Sequence, residues 1–266
     1  MGGSVLLRER RREDALKLTI SHLTHSFGTH RVLHDIDLNV AAGEFVCILG
    51  ASGCGKSTLF NAVSGLLEVD GGRVLLEEED IAGKPGRVGY MLQKDLLLPW
   101  RTALDNIVLG ASLRRGANAA DRARAGELAS HYGLGAYLHH YPRALSGGMR
   151  QRVALMRTIA AGHEVMLLDE PFAALDSLTR FTMQRWLLEV WSEMKRTIVF
   201  VTHDVDEALV LADRIVVMLP NPGRIGRIIT VGLGRPREIA CMASPAFMEL
   251  KSQALALLYA SAGASP

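Results

Sequence analysis

The chain has 266 residues, enough to bury a sizeable core without disulfide bonds or structural metals, and one domain with a helical subregion is expected. Hydrophobic residues make up 48% and charged residues 22%, a balance that excludes a disordered protein. A net charge of +2 argues against nucleic-acid binding, and without a long apolar run a membrane span is not expected. Three cysteines without close spacing suit a reducing cytoplasm. Attachment to a membrane would therefore come through a partner.

The chain opens with a charged N-terminal tail, residues 1–15, and a pair of strands. Alternating residues in Leu16–Thr24 and Val32–Val40 predict two antiparallel strands joined by a glycine-containing turn. The apolar run Glu44–Leu49 predicts a third strand, which is followed by a glycine-rich loop and by a helix over Lys56–Ser64. A strand, a loop and a helix in this order indicate the start of an α/β core.

Strands and helices alternate along the remaining chain. We predict further strands at Val74–Glu77, Val88–Met91, Val165–Leu168, Thr197–Val201 and Ile215–Met218, and helices at Leu178–Met194 and Asp204–Ala212. This alternation predicts a mostly parallel sheet covered by helices. An inserted α-helical subdomain, about residues 100–161, interrupts the main domain of residues 16–240. Residues 241–266 are expected to form a C-terminal helical extension.

A phosphate-binding loop lies between the third strand and the first helix. It has the pattern G-x-x-x-x-G-K-S and contains Gly50, Ala51, Ser52, Gly53, Cys54, Gly55, Lys56, Ser57 and Thr58. Its glycines let backbone N–H groups curl round phosphates, and the helix start adds the positive end of its dipole. Lys56 can reach the outer phosphates, and Ser57 can supply an oxygen ligand to Mg²⁺. The loop alone predicts a nucleotide site and leaves kinases, GTPases and motors open.

Two carboxylates follow the apolar strand Val165–Leu168. Asp169 can hold Mg²⁺ through water, and Glu170 can orient the water that attacks a phosphate. The alternative is that both acids merely cap the next element. Beside a phosphate loop, the pair favours nucleotide hydrolysis.

The segment Leu145–Arg152, with the sequence LSGGMRQR, predicts the start of a helix. Ser146 suits the N-cap position, and Gly147 and Gly148 would expose backbone N–H groups. An ordinary cap explains the serine but not the glycines, each of which costs about 1 kcal/mol in a helix interior. The segment resembles the signature motif of the ABC transporter family. The resemblance implies that this helix end faces the γ-phosphate of ATP on a second subunit, in a head-to-tail homodimer.

Four further positions follow the family order: Phe27, Gln93, Asp176 and His203. The resemblance implies that Phe27 stacks on adenine and that Gln93 senses Mg²⁺ and the attacking water. It implies that Asp176 lies in a loop contacting the second subunit, and that His203 contacts the γ-phosphate. ATP and Mg²⁺ are the implied cofactors. The implied fold is a P-loop NTPase α/β core of mostly parallel sheet, with an antiparallel β subdomain and an inserted α-helical subdomain.

The segment Gln93–Thr102 places several apolar residues after the implied γ-phosphate sensor. Exposed apolar patches mark contacts, whereas the alternative is a buried connector within the helical subdomain. Together with Leu104–Ile107 and Leu219–Ile225, the segment resembles the nitrate, sulfonate and taurine importer subgroup. The resemblance implies a bacterial importer subunit at the cytoplasmic face of the membrane, with permease subunits and a periplasmic or lipid-anchored substrate-binding protein. A docked permease helix would bury Leu97 and Trp100.

The sequence leaves the transported solute open among nitrate, taurine, alkanesulfonates and thiamine-precursor pyrimidines. The leading alternative function is a soluble single-domain ABC ATPase that acts in complex assembly. A nucleotide-binding regulator without catalytic activity is disfavoured because both Glu170 and His203 are present.

Overall fold

The computed structural model describes residues 15–262, so all but the last residue of the predicted tail at residues 1–15, and the last four residues of the chain, lie outside the described part. The described chain forms two compact units. The first unit contains the residues up to Arg87 together with those from Lys195 onward, and the second unit is Val88–Met194.

The strands are, in chain order, β1 (Leu16–Phe27), β2 (His30–Ala41), β3 (Phe45–Leu49), β4 (Gly71–Leu76), β5 (Glu79–Asp80), β6 (Gly89–Met91), β7 (Val165–Asp169), β8 (Thr197–Thr202), β9 (Arg214–Leu219) and β10 (Arg224–Thr230). The helices are α1 (Lys56–Val63), α2 (Ala103–Ile107), α3 (Leu109–Arg115), α4 (Ala119–His131), α5 (Gly147–Ala160), α6 (Ser177–Met194), α7 (Val205–Leu211), α8 (Ile239–Met242) and α9 (Pro245–Ala262). Short 3₁₀ turns occupy Gly135–Tyr137 and Pro142–Ala144. No helix among residues 15–262 combines the length and the hydrophobicity that crossing a membrane requires.

An antiparallel sheet with the order β2-β1-β4-β5 belongs to the first unit. Leu18 and Ile20 are buried and, after a shift in register, so are Leu23 and His25, which is the pattern of a sheet with one face on a core. The turn between β1 and β2 contains Gly28, whose φ of +60° is a left-handed conformation that glycine adopts readily. This sheet is the predicted antiparallel β subdomain.

The first unit also contains parallel strands. β3 lies between β8 and β9 and runs parallel to both, with Leu49 opposite Thr202 and Val217. Every residue of β3 and β8 is buried, as expected for parallel strands covered on both faces. Because parallel strands share a direction, the segments after β3 and β8 leave the sheet at the same edge.

The second unit contains the parallel pair β6 and β7 and the helices α2 to α6. Met91 lies opposite Leu168, so the segments that follow these two strands also leave from a common edge. The helices include the predicted helical subdomain. Tyr132 and Trp186 pack edge to face between α6 and the end of α4, with their ring centroids 5.4 Å apart.

The strands and helices predicted individually are all confirmed, and their ends either coincide with the observed ones or differ by up to three residues. Two strands were missed. β5 has only two residues, and β10 has five exposed residues out of seven, so neither shows the alternation from which strands are recognised.

Candidate functional site

The phosphate loop between β3 and α1 has a backbone shape that depends on glycine. Gly53 and Gly55 have φ values of +81° and +97°. A Cβ atom at Gly50 would lie 2.7 Å from the Cys54 sulfur and 2.8 Å from the Met218 carbonyl oxygen. Larger residues are therefore excluded at Gly50 by space and disfavoured at the other two by conformation.

The start of α1 presents donors to the loop. Gly55 is the N-cap residue, and among the described residues no side chain caps this helix, so its first N–H groups point toward the loop. The buried Lys56 ammonium donates hydrogen bonds to the carbonyl oxygens of Gly50 (2.9 Å) and Ala51 (3.0 Å). Uncapped N–H groups beside a cation fit a polyphosphate chain.

A second glycine-containing turn packs behind the loop. A Cβ atom at Gly223 would lie 2.4 Å from the Cys54 carbonyl oxygen. The Gly223 N–H donates to the Val32 carbonyl oxygen at 2.9 Å, and its own carbonyl oxygen accepts from the His34 N–H at 2.9 Å. This packing role was not predicted, because Leu219–Ile225 was recognised only as a subgroup pattern; its single glycine was the available signal.

His203 lies directly after β8, at the same sheet edge as the phosphate loop, and its side chain is exposed. The residues on either side of it are fixed locally. The Thr202 hydroxyl accepts a hydrogen bond from the Asp204 N–H at 3.0 Å, and the Asp204 carboxylate caps α7. Phe27 ends β1 in the antiparallel sheet, and 55% of its surface is exposed. Its ring is therefore available for stacking.

The second unit carries the predicted acids at the common edge of β6 and β7. Asp169 is the buried last residue of β7 and accepts a hydrogen bond from the Tyr90 hydroxyl. Burial, reinforced by Asp169, raises the pKa of Tyr90 far above its usual range. Gln93 is exposed two residues after β6. Tyr90 was not predicted as a site residue, because its contact with Asp169 depends on the pairing of β6 with β7.

Glu170 has a left-handed backbone, with a φ of +43°, and its side chain is half-buried. This conformation costs a residue other than glycine roughly 1–2 kcal/mol, and such strain concentrates at functional sites. The Glu170 carbonyl oxygen accepts from the Ala173 N–H at 3.2 Å, which starts a tight turn. At Glu170 the chain therefore leaves the direction of β7.

The donor atoms at the predicted metal-binding positions fit a magnesium ion. Ser57 offers a hydroxyl, Asp169 a carboxylate and Gln93 an amide oxygen, and Mg²⁺ prefers such oxygen ligands. Ser57 belongs to the first unit, whereas Gln93 and Asp169 belong to the second.

The signature segment forms the start of α5, as predicted. The Ser146 hydroxyl accepts from the Met149 N–H at 3.3 Å, and Gly147 is exposed. A Cβ atom at Gly148 would lie 3.0 Å from Cγ2 of Thr179, so Gly148 also allows the start of α6 to approach closely. Asp176 caps α6 by accepting from the Thr179 N–H at 3.0 Å, and these hydrogen bonds lower its pKa.

Three buried or half-buried polar side chains hold the segment Gln93–Thr102. Asn106 accepts from the Leu98 N–H at 2.8 Å and donates to three carbonyl oxygens of the segment. Arg157 donates to the carbonyl oxygens of Leu96 and Asp95, and Arg150 contacts the Asp95 carboxylate at 3.2 Å. The segment is thus fixed to α2 and to the signature helix α5.

The exposed residues of this segment include two large apolar side chains. Leu96 and Trp100 are 51% and 71% exposed, whereas Leu97 is only 8% exposed. The prediction that a docked helix would bury Leu97 is therefore wrong, because that side chain already lies in the core of its unit. Leu96 occupies the surface position instead.

Comparison with known proteins identifies the chain. The family described as ABC transporter matches residues 33–173. The chain belongs to the ABC transporter family. Among its relatives, the nitrate import ATP-binding protein NrtD of Synechococcus elongatus is 41% identical over 239 residues, 87% of this chain and 86% of that protein. The taurine import ATP-binding protein TauB of Rhizobium johnstonii is 38% identical over 254 residues, 91% of this chain and 96% of that protein.

Solved ABC structures share the fold. The dimeric structure of the bacterial ABC transporter cassette MJ0796 has a TM-score of 0.71 and 29% identity, and covers 82% of this chain and 100% of its own. The same cassette bound to ADP and Pi after hydrolysis has a TM-score of 0.68 and 28% identity, with the same coverage. The chain is thus an ATP-hydrolysing subunit of the ABC type. The predicted P-loop NTPase fold and the resemblance to nitrate and taurine importers are confirmed.

Proposed function

We propose that this ABC ATPase powers the uptake of a small solute through a partner permease at the cytoplasmic face of a bacterial membrane. The observation that carries the proposal is the similarity to nitrate and taurine import proteins over nearly the whole chain. That similarity favours an importer over a soluble ATPase of complex assembly. The solute is of the nitrate, sulfonate and taurine type or of the thiamine-precursor type.

The phosphate loop binds ATP in this proposal. The N–H groups at the start of α1 and the ammonium of Lys56 hold the phosphates, and the exposed ring of Phe27 stacks on the adenine. Ser57, Asp169 and Gln93 would hold Mg²⁺, Asp169 through a water molecule, and the ion would supply positive charge against the phosphate oxygens.

The residues at the strand ends carry out ATP hydrolysis in this proposal. Glu170 orients a water molecule and accepts its proton as the water oxygen bonds to the γ-phosphorus. The bond from that phosphorus to the β–γ bridging oxygen breaks, which leaves ADP and inorganic phosphate. Gln93 helps to place the water, and His203 donates a hydrogen bond to a γ-phosphate oxygen.

Two copies of the chain act together. The exposed start of α5, with Ser146, Gly147 and Gly148, binds the ATP held by the other copy, and Asp176 lies at the contact between the copies. The dimeric MJ0796 cassette supports this arrangement. Light scattering of the Glu170→Gln variant should show that saturating Mg-ATP raises the dimer fraction at micromolar protein. A purely monomeric protein with and without permease would contradict the composite site.

Leu96 and Trp100 form the surface that receives a short cytoplasmic helix of the permease. Their side chains are apolar and exposed on a backbone that Asn106 holds in place. A helix docked there would bury both side chains. A periplasmic or lipid-anchored binding protein delivers the solute to the outer side of the permease.

Reconstitution tests the proposed function directly. The chain is co-purified with a permease and a binding protein encoded beside it, and uptake of radiolabelled nitrate and taurine into proteoliposomes is measured. ATP-dependent uptake of one solute is the expected result. A chain that binds no permease, and whose ATPase activity responds instead to a soluble complex, would favour the assembly function.

A further inference from the structure

The short helix α7 begins two residues after His203, so its position constrains the backbone on the C-terminal side of that histidine. α7 has only seven residues, and isolated helices shorter than about 12–15 residues are marginal in water. Its place in the fold must therefore come from contacts with other elements. The chain that follows the last strand supplies such contacts at both of its ends.

Two arginines cover the C-terminal end of α7. Arg237 is 4% exposed, and its Nη1 donates to the carbonyl oxygens of Leu209 (2.8 Å) and Ala212 (2.5 Å). Arg235 Nη2 donates to the Leu211 carbonyl oxygen at 2.6 Å. The last carbonyl groups of a helix lack partners within it and carry its negative dipole end, so guanidinium groups suit this position.

Arg237 also holds the segment from which it projects. Its Nη2 donates to the carbonyl oxygens of Val231 (3.2 Å) and Leu233 (3.1 Å). Burial lowers the pKa of Arg237 to about 10, which still leaves the group charged at neutral pH. One buried cation therefore joins the end of α7 to the segment that follows β10.

The C-terminal helix α9 contacts the other end of α7. Phe247, Lys251 and Ala254 are spaced by four and three residues, so they share one face of α9. Phe247 and Ala254 are 1% and 0% exposed, and α9 packs on α7 and β9. The Lys251 ammonium lies 2.7 Å from the carboxylate of Asp206, which is in the first turn of α7.

The first turn of α7 is continuous with the His203 loop. The Asp204 carboxylate accepts from the N–H groups of Asp206 (2.9 Å) and Glu207 (3.2 Å), and the Asp204 N–H donates to the Thr202 hydroxyl. These hydrogen bonds connect Asp206 through Asp204 to Thr202, and His203 lies between Thr202 and Asp204, so a displacement of Asp206 would be expected to reach His203.

We propose that Arg237 and Lys251 are positioning residues for His203, so that the chain after β10 sets the orientation of the γ-phosphate sensor during ATP hydrolysis. The proposal rests on the role assigned to His203 in the proposed function. Neither residue touches the nucleotide in this account. Arg237 fixes the C-terminal end of α7, and Lys251 fixes its first turn through Asp206.

The test uses the full chain with ¹³C-labelled histidine. Nine histidines give nine ring Cε1–Hε1 resonances, and His203→Gln identifies the one that belongs to residue 203. Lys251→Ala should shift or broaden this resonance and lower kcat about two- to fivefold, the range of a partly exposed ion pair, while KM for ATP stays unchanged. Lys251→Arg should restore both. The matched control is Lys84→Ala, which removes a different surface lysine of the same unit whose ammonium contacts the Asp80 carbonyl oxygen at 2.7 Å.

A His203 resonance that is unchanged in Lys251→Ala, or that moves equally in Lys84→Ala, overturns the role of Lys251 whatever the activity shows. Arg237→Lys tests the second residue, because one ammonium cannot span both groups of carbonyl oxygens. It should lower the Tm and move the His203 resonance, and a lower Tm alone would make Arg237 a stabilising residue only. Wild-type turnover of His203→Gln would contradict the proposed function but leave the resonance test valid.

Discussion

The phosphate loop of the first unit and the acidic strand end of the second unit act through different atoms. The loop offers backbone N–H groups, so its requirements are for shape, and three of its residues are glycines with no room or no suitable φ for another side chain. The strand end offers the side chains of Gln93, Asp169 and Glu170, which lie at or just after the ends of β6 and β7. The apolar core residues of these strands lie at other positions. Substitutions in the loop should therefore change folding and binding together, whereas substitutions at the strand end should change turnover without unfolding the chain.

The largest expected effect is a loss of ATP turnover, without a loss of ATP binding, in a variant of the strand end. Glu170→Gln keeps the size and the left-handed backbone of the residue but removes the proton acceptor. Turnover should fall about 10²- to 10⁴-fold, which corresponds to roughly 3–5 kcal/mol. The assay is steady-state phosphate release by the transporter, with Glu164→Gln as the matched control. Turnover within a few-fold of wild type would remove Glu170 from the hydrolysis step.

The second effect concerns the apolar segment of the second unit. Replacing Leu96 and Trp100 with serine should weaken permease association by about ten- to a hundredfold, since burying a large apolar side chain contributes about 1.5–3 kcal/mol. Co-purification and substrate-stimulated hydrolysis should fall together, while nucleotide affinity stays normal. Leu113→Ser, at a leucine of α3 that is 78% exposed, is the control. Normal transport in proteoliposomes by the double variant would contradict docking at this segment.

The third effect tests the shape requirement of the loop. Gly50→Ala places a methyl group 2.8 Å from the Met218 carbonyl oxygen and should lower the free energy of unfolding by about 1–3 kcal/mol. The methyl group added by Gly53→Ala would have no atom within 4 Å. This variant should therefore lower the free energy of unfolding only through the strain of its left-handed backbone, by about 1 kcal/mol. Urea unfolding compares the two variants. Equal stabilities would show that the loop backbone yields to the added methyl group.

The smallest effect lies away from both regions, on the antiparallel sheet. His22 Nδ1 lies 2.8 Å from the Asp35 carboxylate, which, with Asp37, raises the pKa of His22 above 6.5. The protonated ring is favoured in the folded state, so its contribution to stability is complete below pH 6.5 and is lost as the pH rises through the folded pKa. Titration by NMR should give a pKa above 6.5, lowered by Asp35→Asn. An unchanged pKa in that variant would exclude the ion pair as the cause.

The sequence predicted those features that depend on local pattern. Buried parallel strands such as β3 are continuous apolar runs, and the phosphate loop needs glycine at fixed positions, so both were recognised. Tyr90 and Gly223 were missed because their roles depend on partners brought close only by strand pairing and by a distant turn. Leu97 was assigned to the wrong side because three successive leucines, Leu96 to Leu98, do not reveal which one faces the core.

One measurement tests most directly whether the loop binds the nucleotide and the strand end hydrolyses it. It is the equilibrium binding of Mg-ATP to Gly50→Ala and to Glu170→Gln, followed with a fluorescent ATP analogue that is competed with ATP. The account predicts that Glu170→Gln binds with a Kd within about threefold of wild type, since the strand end acts on the attacking water. Gly50→Ala should bind at least about tenfold more weakly, because the loop backbone can no longer close around the phosphates. A Glu170→Gln variant that loses affinity as strongly as Gly50→Ala would contradict the separation of binding from hydrolysis.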